Sequence, residues 1–219
     1  MASKAVFLLC SRGGRLIVPH LRLRNKTAAE VLASRKFLVK DMESLALPAV
    51  PSITCALARG CVIEMRNLQK LSVRDLTTGS LSATVLACCL PYLPSLSGIH
   101  LYFKVSNLLS HWDETRCDGK LLLAAAKVST LRRLVLEGGH GSFCCHEDLE
   151  TALKYLAPRL ETLALIGGAT YTVRGCKSLV QDVIDMLGKE SMQLSSLQTL
   201  QLGEVLWYLT DHGLSLIHI

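Results

Sequence analysis

Apolar residues recur along this chain in a six-residue pattern whose first, fourth and sixth positions are apolar. Five segments follow the pattern closely and two earlier ones follow it loosely. In chain order they are VPHLRL (18–23), MESLAL (42–47), LQKLSV (68–73), LSGIHL (96–101), LRRLVL (131–136), LETLAL (160–165) and LQTLQL (197–202). Apolar residues at every second position are typical of a strand with one buried face. The pattern therefore predicts seven strands, near 20–24, 44–47, 70–74, 98–102, 133–137, 162–166 and 199–203.

The segments between these strands carry apolar residues three and four positions apart, which is typical of an amphipathic helix. In HEDLETALKYLA (146–157), Leu149, Leu153 and Leu156 lie near one side of such a helix. Acidic residues occupy its first turn, where they interact favourably with the helix dipole. Similar spacing predicts helices over 26–38, 80–93 and 176–190, and two helical pieces within 104–128.

The spacing of the seven segments leaves room for one strand and one helix in each unit. Successive segments begin 24, 26, 28, 35, 29 and 37 residues apart, and the two longest steps indicate insertions. Neither element can bury its apolar face alone, so neighbouring units must stack. The unit resembles the leucine-rich-repeat family, in a degenerate form similar to ribonuclease-inhibitor-like and F-box-adaptor repeats. The resemblance implies an α/β solenoid of about seven irregular repeats over 1–213, with a parallel concave sheet and convex helices.

The chain departs from the family at one position of the repeat. The family has Asn or Cys three residues after the last apolar position of the strand, where its side chain hydrogen-bonds backbone along the stack. The corresponding residues here are Lys26, Val50, Leu76, Lys104, Gly139, Gly168 and Val205. Because buried backbone groups need hydrogen-bond partners, we expect the repeats to satisfy theirs in another way.

The C-terminal segment LTDHGLSLIHI (209–219) begins like a further element and then stops. LTDHG resembles the start of the convex helix expected after the seventh strand, since Thr or Asp can cap free backbone N–H groups. LSLIHI (214–219) resembles the in-frame translation of a transposase sequencing adaptor, and the alternative is a genuine apolar C-terminus. We therefore interpret 214–219 as derived from an adaptor, and 1–213 as an incomplete fragment of a longer repeat array.

Composition excludes a disordered chain, because half of the residues are hydrophobic and the mean hydropathy is +0.34. No stretch approaches the ~20 apolar residues that span a bilayer. Six apolar residues, AVFLLC (5–10), are too short for a secretory signal. The nine cysteines form no C-x-x-C pair, and an odd number favours reduced thiols. We therefore predict a cytoplasmic or nuclear protein that does not bind a membrane.

The net charge of +6 comes from the N-terminal end, where residues 1–40 hold nine Lys or Arg and a single acid, Glu30. Such a segment could be a mitochondrial transit peptide, a nucleic-acid-binding patch or a solvated first repeat. We favour the solvated repeat, because VPHLRL and the helix after it already fit the repeat. A nucleic-acid patch would interleave aromatic residues, and this segment does not, so we predict no nucleic-acid partner.

GGHGSFCCHEDLE (138–150) is the one cluster that resembles a chemical site. His140, Cys144, Cys145 and His146 could bind a metal, but adjacent cysteines rarely both reach one tetrahedral ion. We interpret the segment as the end of a strand followed by the start of a helix. A Cys–His nucleophile would also need an orienting group, and no phosphate-binding or nucleophile motif occurs. The sequence therefore predicts no catalytic residue, no metal and no cofactor, and thus a protein that is not an enzyme.

Alternate residues of each predicted strand share one face of the sheet, which allows a binding surface to be predicted. Its partner-binding residues are predicted to be Arg22, Arg24, Lys70, Arg74, His100, Tyr102, Arg133 and Glu137. The resemblance implies a non-catalytic scaffold whose concave face binds a protein. The basic residues on that face predict a partner with an acidic patch. That scaffold could be the substrate-recognition region of a ubiquitin-ligase adaptor. The alternative is a leucine-rich-repeat protein that activates GTPases or regulates another enzyme.

Overall fold

The chain has an α/β fold, in which the described strands form one sheet and helices connect some of them. The computed structural model describes residues 20–22, 42–49, 65–76, 80–103, 119–138, 146–166, 185, 195–203, 205–210 and 213–217. The strands are β1 (His20–Arg22), β2 (Ser44–Pro48), β3 (Lys70–Leu76), β4 (Gly98–Phe103), β5 (Arg133–Gly138), β6 (Thr162–Ile166), β7 (Thr199–Leu202), β8 (Val205–Thr210) and β9 (Gly213–Ile217). The helices are α1 (Leu81–Cys89), α2 (Gly119–Ala126) and α3 (His146–Leu156), and a 3₁₀ turn, Leu90–Tyr92, follows α1.

The strands lie in the sheet in the same order as in the chain, and β1 to β7 are all parallel. Each begins at the residue at which the hydrophobic pattern predicts a strand to begin. The register pairs equivalent positions of successive repeats, so that Lys70 lies beside Gly98 and Gly98 beside Arg133. The predicted seven parallel strands in one sheet with helices are therefore confirmed for β1 to β7.

The core lies between the sheet and the helices and is built from the apolar positions of the repeat. In the fifth repeat, Leu131, Leu134 and Leu136 are all buried, and α3 adds Leu149 and Leu153 to the same cluster. Helix α1 packs beside α2, and α2 packs beside α3, so these three helices cover one face of the sheet. Full burial of each such leucine contributes about 1.5–3 kcal/mol, which makes this face the main source of stability.

Helix α1 has a side-chain cap at its N-terminus, and the helix positions agree with the sequence predictions where they can be compared. Helix α1 begins after Ser80, whose Oγ accepts a hydrogen bond from the backbone N–H of Ala83 at 3.2 Å. Helices α1 and α3 confirm the predictions over 80–93 and 146–157, and α2 is the second helical piece predicted within 104–128. The first of those pieces and the helix over 26–38 lie outside the described residues. Of the helix predicted over 176–190, only Asp185 is described, and it is helical.

Backbone groups join successive repeats where each strand starts. Gln69 and Lys70 both donate their N–H groups to the carbonyl of Glu43, at 2.8 and 2.9 Å. Ser97 and Gly98 donate in the same way to the carbonyl of Gln69, both at 2.9 Å. The carbonyls that repeat this role further along the stack belong to Ser97, Arg132 and Glu161. These bonds, called the strand-start ladder below, join the backbones of successive repeats to one another.

Side chains that precede the first leucine of a repeat reach back to the repeat before. Thr130 Oγ1 donates to the Leu96 carbonyl at 2.9 Å, and Ser196 Oγ donates to the Pro158 carbonyl at 2.8 Å. Arg159 occupies the equivalent position and makes a larger set of contacts. These bonds fix each repeat against its predecessor, and the hydrophobic pattern alone does not predict them.

Arg159 binds three carbonyl oxygens with its guanidinium group. Nη1 donates to Tyr155 at 2.7 Å, while Nη2 donates to Ala126 and, at 3.2 Å, to Val128. Nε is buried and has no hydrogen-bond partner. Burial of the group, and secondarily the charge of Arg132, lowers the pKa of Arg159. The side chain thus caps the C-terminal end of α2, where a positive charge interacts favourably with the helix dipole.

Strands β8 and β9 overturn the helix predicted to begin in LTDHG. Thr210 ends β8 and Gly213 begins β9, and both strands run antiparallel to their neighbours. Gly203 has a φ of 66°, which suits the tight turn that pairs Leu202 with Val205. The β-branched and aromatic residues of VLWYLT favour a strand, so local preference overrides the repeat here. The fragment and adaptor interpretations of the C-terminal segment stay predictions.

Candidate functional site

The sheet face opposite the three helices, called the open face below, carries the alternate residues of β1 to β7 in rows across the strands. The first row contains His20, Ser44, Lys70, Gly98, Arg133, Thr162 and Thr199. The second row contains Arg22, Ala46, Ser72, His100, Val135, Ala164 and Gln201. The third row contains Pro48, Arg74, Tyr102, Glu137 and Ile166. Residues distant in sequence are thereby brought onto one continuous surface.

The structure places the predicted partner-binding residues on this one face. The exposed members are Arg22, Lys70, Arg74 and Arg133, and the half-buried members are His100, Tyr102 and Glu137. Arg24 lies outside the described residues. The common location follows from the parity of strand positions, which the sequence already contained. Their role in binding a partner stays a prediction.

Charge is distributed unevenly over the open face. Strands β1, β3 and β5 carry its Arg and Lys side chains, whereas the described residues of β6 and β7 on this face carry no charge. Val135 and Ala164, in the middle of the second row, are only 5% and 3% exposed although they lie outside the core on the helix side. The open face therefore consists of a basic half and an uncharged half, with a buried small apolar patch between them.

A hydrogen bond joins the side chains of His100 and Glu137 across β4 and β5. The His100 Nε2 and Glu137 Oε2 atoms are 2.7 Å apart, and the two side chains are 40% and 34% exposed. A carboxylate only accepts hydrogen bonds, so the His100 ring must carry a proton on Nε2 for this bond. Glu137 Oε2 is therefore already hydrogen-bonded to His100. The hydrophobic pattern does not reveal this bond, because the two residues lie 37 positions apart and on different rows.

A β-bulge in β3 shapes the open face beside Tyr102. The register shifts between Val73 and Leu76, so that Arg74 and Asp75 together lie opposite Tyr102. Asp75 has a φ of 58°, a left-handed conformation that Asp tolerates better than most residues. Strict alternation would have turned Asp75 into the core. The bulge instead keeps it exposed and buries Leu76 completely, which extends β3 two residues beyond the predicted end.

The other predicted features give no second site. The side chains of the cluster over 140–146 lie outside the described residues. Within the described part of the chain, no group of three or more His, Cys, Asp or Glu residues is placed to hold a metal ion. Across the same residues, no helix is long and apolar enough to cross a membrane. Compared with known proteins, the chain matches no family model, no curated protein and no solved structure.

Proposed function

We propose that this chain is a leucine-rich-repeat solenoid that acts as a non-catalytic protein-interaction module, with the open face as its concave binding surface. The observation that carries the proposal is the register of the seven parallel strands, which aligns outward residues of every repeat into continuous rows. With strands about 4.8 Å apart, the rows extend over roughly 30 Å, enough for a protein partner. Stacked repeats commonly bind proteins through such extended surfaces.

The charge of the open face supports a partner with an acidic patch beside an uncharged one. Arg22, Lys70, Arg74 and Arg133 are exposed, and none has an ion-pair partner within the described part of the chain. Exposed cations of this kind mainly accelerate association, and salt screens their effect. The partner's uncharged part would then cover β6 and β7.

Tyr102 is the expected anchor of the interface. It lies half-buried in the third row, between the bulge at Arg74 and the strand that carries Glu137. Aromatic side chains near the centre of an interface often contribute most of the binding energy, and truncating one can cost 2 kcal/mol or more. Its position, away from both ends of the seven-strand parallel array, meets that description.

The test is capture of partners from cell extract by the wild-type chain and by open-face variants. Tyr102→Ala, and separately the triple variant Arg22→Glu, Lys70→Glu and Arg74→Glu, should each remove the same captured proteins. The matched controls change exposed residues on the helix side, namely Tyr155→Ala and the double variant Lys120→Glu and Lys127→Glu. These controls should leave capture unchanged. Folded open-face variants that retain every partner would refute the proposal.

Resemblance to F-box-adaptor repeats supports a narrower proposal for the cellular role. The captured partner would be a substrate that a ubiquitin ligase recognises through the open face. Depleting the protein from cells should then lengthen the lifetime of that partner, and re-expressing Tyr102→Ala should not restore degradation. A partner whose lifetime is unchanged would point to a scaffold without a link to ubiquitination.

A further inference from the structure

In the first row of the open face, a residue without a side chain lies between two cations. Gly98 lies between Lys70 on β3 and Arg133 on β5, and it is buried beneath them. A Cβ atom at Gly98 would lie 3.8 Å from Lys70 Cγ and 3.8 Å from Arg133 Cβ, which are ordinary contacts. Gly98 does not have positive φ either, so neither crowding nor backbone conformation requires glycine at this position. Because Gly98 has no side chain, only its backbone lies between Lys70 and Arg133. This backbone is called the floor below.

Both cations beside this floor are available to a ligand. Lys70 and Arg133 are exposed, and neither has an ion-pair partner within the described residues. The acid on the same strand as Arg133, Glu137, already binds His100. Strands β3 and β5 lie about 10 Å apart, two strand spacings, so two long side chains can converge on one group above Gly98.

We propose that Gly98 is the floor of an anion subsite that binds a phosphorylated serine or threonine of the protein partner. The proposal rests on the proposed function, since it names the chemistry of the partner on the open face. A phosphate carries about −1.5 to −2 charges near neutral pH and would balance both cations, whereas one carboxylate would leave a positive charge uncompensated. Arg133 can bind phosphate oxygens through two N–H groups, and Lys70 adds a point charge.

The subsite can be tested with a minimal probe, N-acetyl-O-phosphoserine methylamide, titrated into the isotope-labelled protein and followed by amide NMR. The amide of Gly98 should shift with the probe, and much less with the serine or glutamate analogues. Lys70→Gln and Arg133→Gln should each weaken probe binding about tenfold, since each removes a charge-assisted hydrogen bond. Gly98→Val keeps both charges but fills the floor, and should weaken binding to a similar extent.

Lys127→Gln is the matched control, because it removes an exposed cation beyond the end of α2 rather than on the open face. It should leave probe binding unchanged. The subsite is refuted if this control weakens binding as much as Arg133→Gln does, or if folded Gly98→Val binds like the wild type. Equal affinity for the glutamate analogue would also overturn the choice of phosphate.

Capture from cell extract separates failure of the subsite from failure of the proposed function. If both hold, phosphatase treatment of the extract and Gly98→Val should each remove the partner that Tyr102→Ala removes. If only the subsite is wrong, Tyr102→Ala still removes the partner, while phosphatase treatment and Gly98→Val do not. If the proposed function is wrong, Tyr102→Ala retains every partner.

Discussion

Arg159 joins two neighbouring repeats through carbonyls at Tyr155, Ala126 and Val128. The hydrophobic pattern marks only the leucine that follows Arg159 and gives no reason for a cation before it. A guanidinium group fits because its fixed fork of donors can reach several carbonyls at once. At the scale of single residues, such polar contacts fix one repeat against the next.

Replacing Arg159 with Met should destabilise the protein by about 1–2 kcal/mol, because the carbonyls at the end of α2 lose their donor while the apolar stem is kept. The measurement is the free energy of unfolding in urea. Arg132→Met is the matched control, since this exposed side chain makes only long contacts, 3.7 Å from Nε to Glu161 and 3.5 Å from Nη1 to the Arg159 carbonyl, among the described residues. Exposed pairs of this kind contribute less than about 1 kcal/mol. Equal losses in the two variants would contradict a capping role for Arg159.

Two glycines give a second prediction at this scale. A Cβ at Gly119 would overlap the carboxylate of Asp148, whereas one at Gly98 would make only ordinary contacts. Gly119→Ala should therefore destabilise the protein by about 1–3 kcal/mol, because either the Asp148 side chain must turn aside or α2 and α3 must move apart. Gly98→Ala should be neutral or slightly stabilising, since glycine weakens a strand interior. Thermal unfolding of both variants checks this, and a Gly119→Ala variant as stable as the wild type would show that the helices adjust freely.

At the scale of strands and helices, the hydrophobic pattern determines where the parallel strands begin. It predicts the first residue of β1 to β7, because each strand begins two residues after the first apolar position of its repeat. It fails at Asp75, where a charged residue falls on an inward position and the backbone bulges instead. It also fails after Gly203, where the chain reverses into a hairpin. In both places the local backbone conformation determines the path of the chain. The alternation of apolar and polar residues carries no information about that conformation.

The bulge should respond strongly to the side chain at Asp75. Asp75→Val should destabilise the protein by about 1–3 kcal/mol, because a β-branched residue is strained at positive φ. Asp75→Gly should change stability by less than about 1 kcal/mol, since glycine adopts this conformation freely. Urea unfolding of the two variants measures the difference. If valine and glycine behaved alike, β3 would have to pair with β4 without the bulge.

At the scale of the whole molecule, stability should vary along the array, because each repeat contacts mainly its neighbours. We expect amide hydrogen exchange to be slowest in β4, β5 and β6, which are the middle strands of the sheet. It should be fastest in β1, which has three residues paired with β2 in the described sheet. Uniform exchange across the sheet would indicate a single cooperative unit instead.

Leu134→Ala tests the same gradient from the centre of the array. Leu134 is fully buried in β5, so its truncation should cost about 2–5 kcal/mol. The loss of protection from exchange should be largest in β4, β5 and β6 and smaller in β2. Thr162→Ala, on the open face of β6, is the control and should change protection little. A loss that is equal in β2 and β5 would contradict transmission from neighbour to neighbour.

The candidate site could be predicted only in part, because the hydrophobic pattern shows which face a residue lies on but not which side chains it contacts. Strand parity determines which residues face outward, and it placed Lys70, Tyr102 and Arg133 on one surface. It does not determine side-chain pairing, so the bond between His100 and Glu137 emerged only with the structure. The contribution of Gly98 also depends on its neighbours across the sheet, which the linear sequence does not identify.

The strand-start ladder has a consequence for how such a protein can change in length. Its bonds join one backbone to the next, so they place little demand on which residues occupy the joint. A tandem copy of residues 131–159 inserted after Arg159 could therefore dock on both neighbours and extend the sheet by one strand, about 4.8 Å. Duplication or loss of whole units would then be tolerated more readily than small insertions within a strand. Length in this architecture would be a property of copy number, open to evolution and to engineering alike.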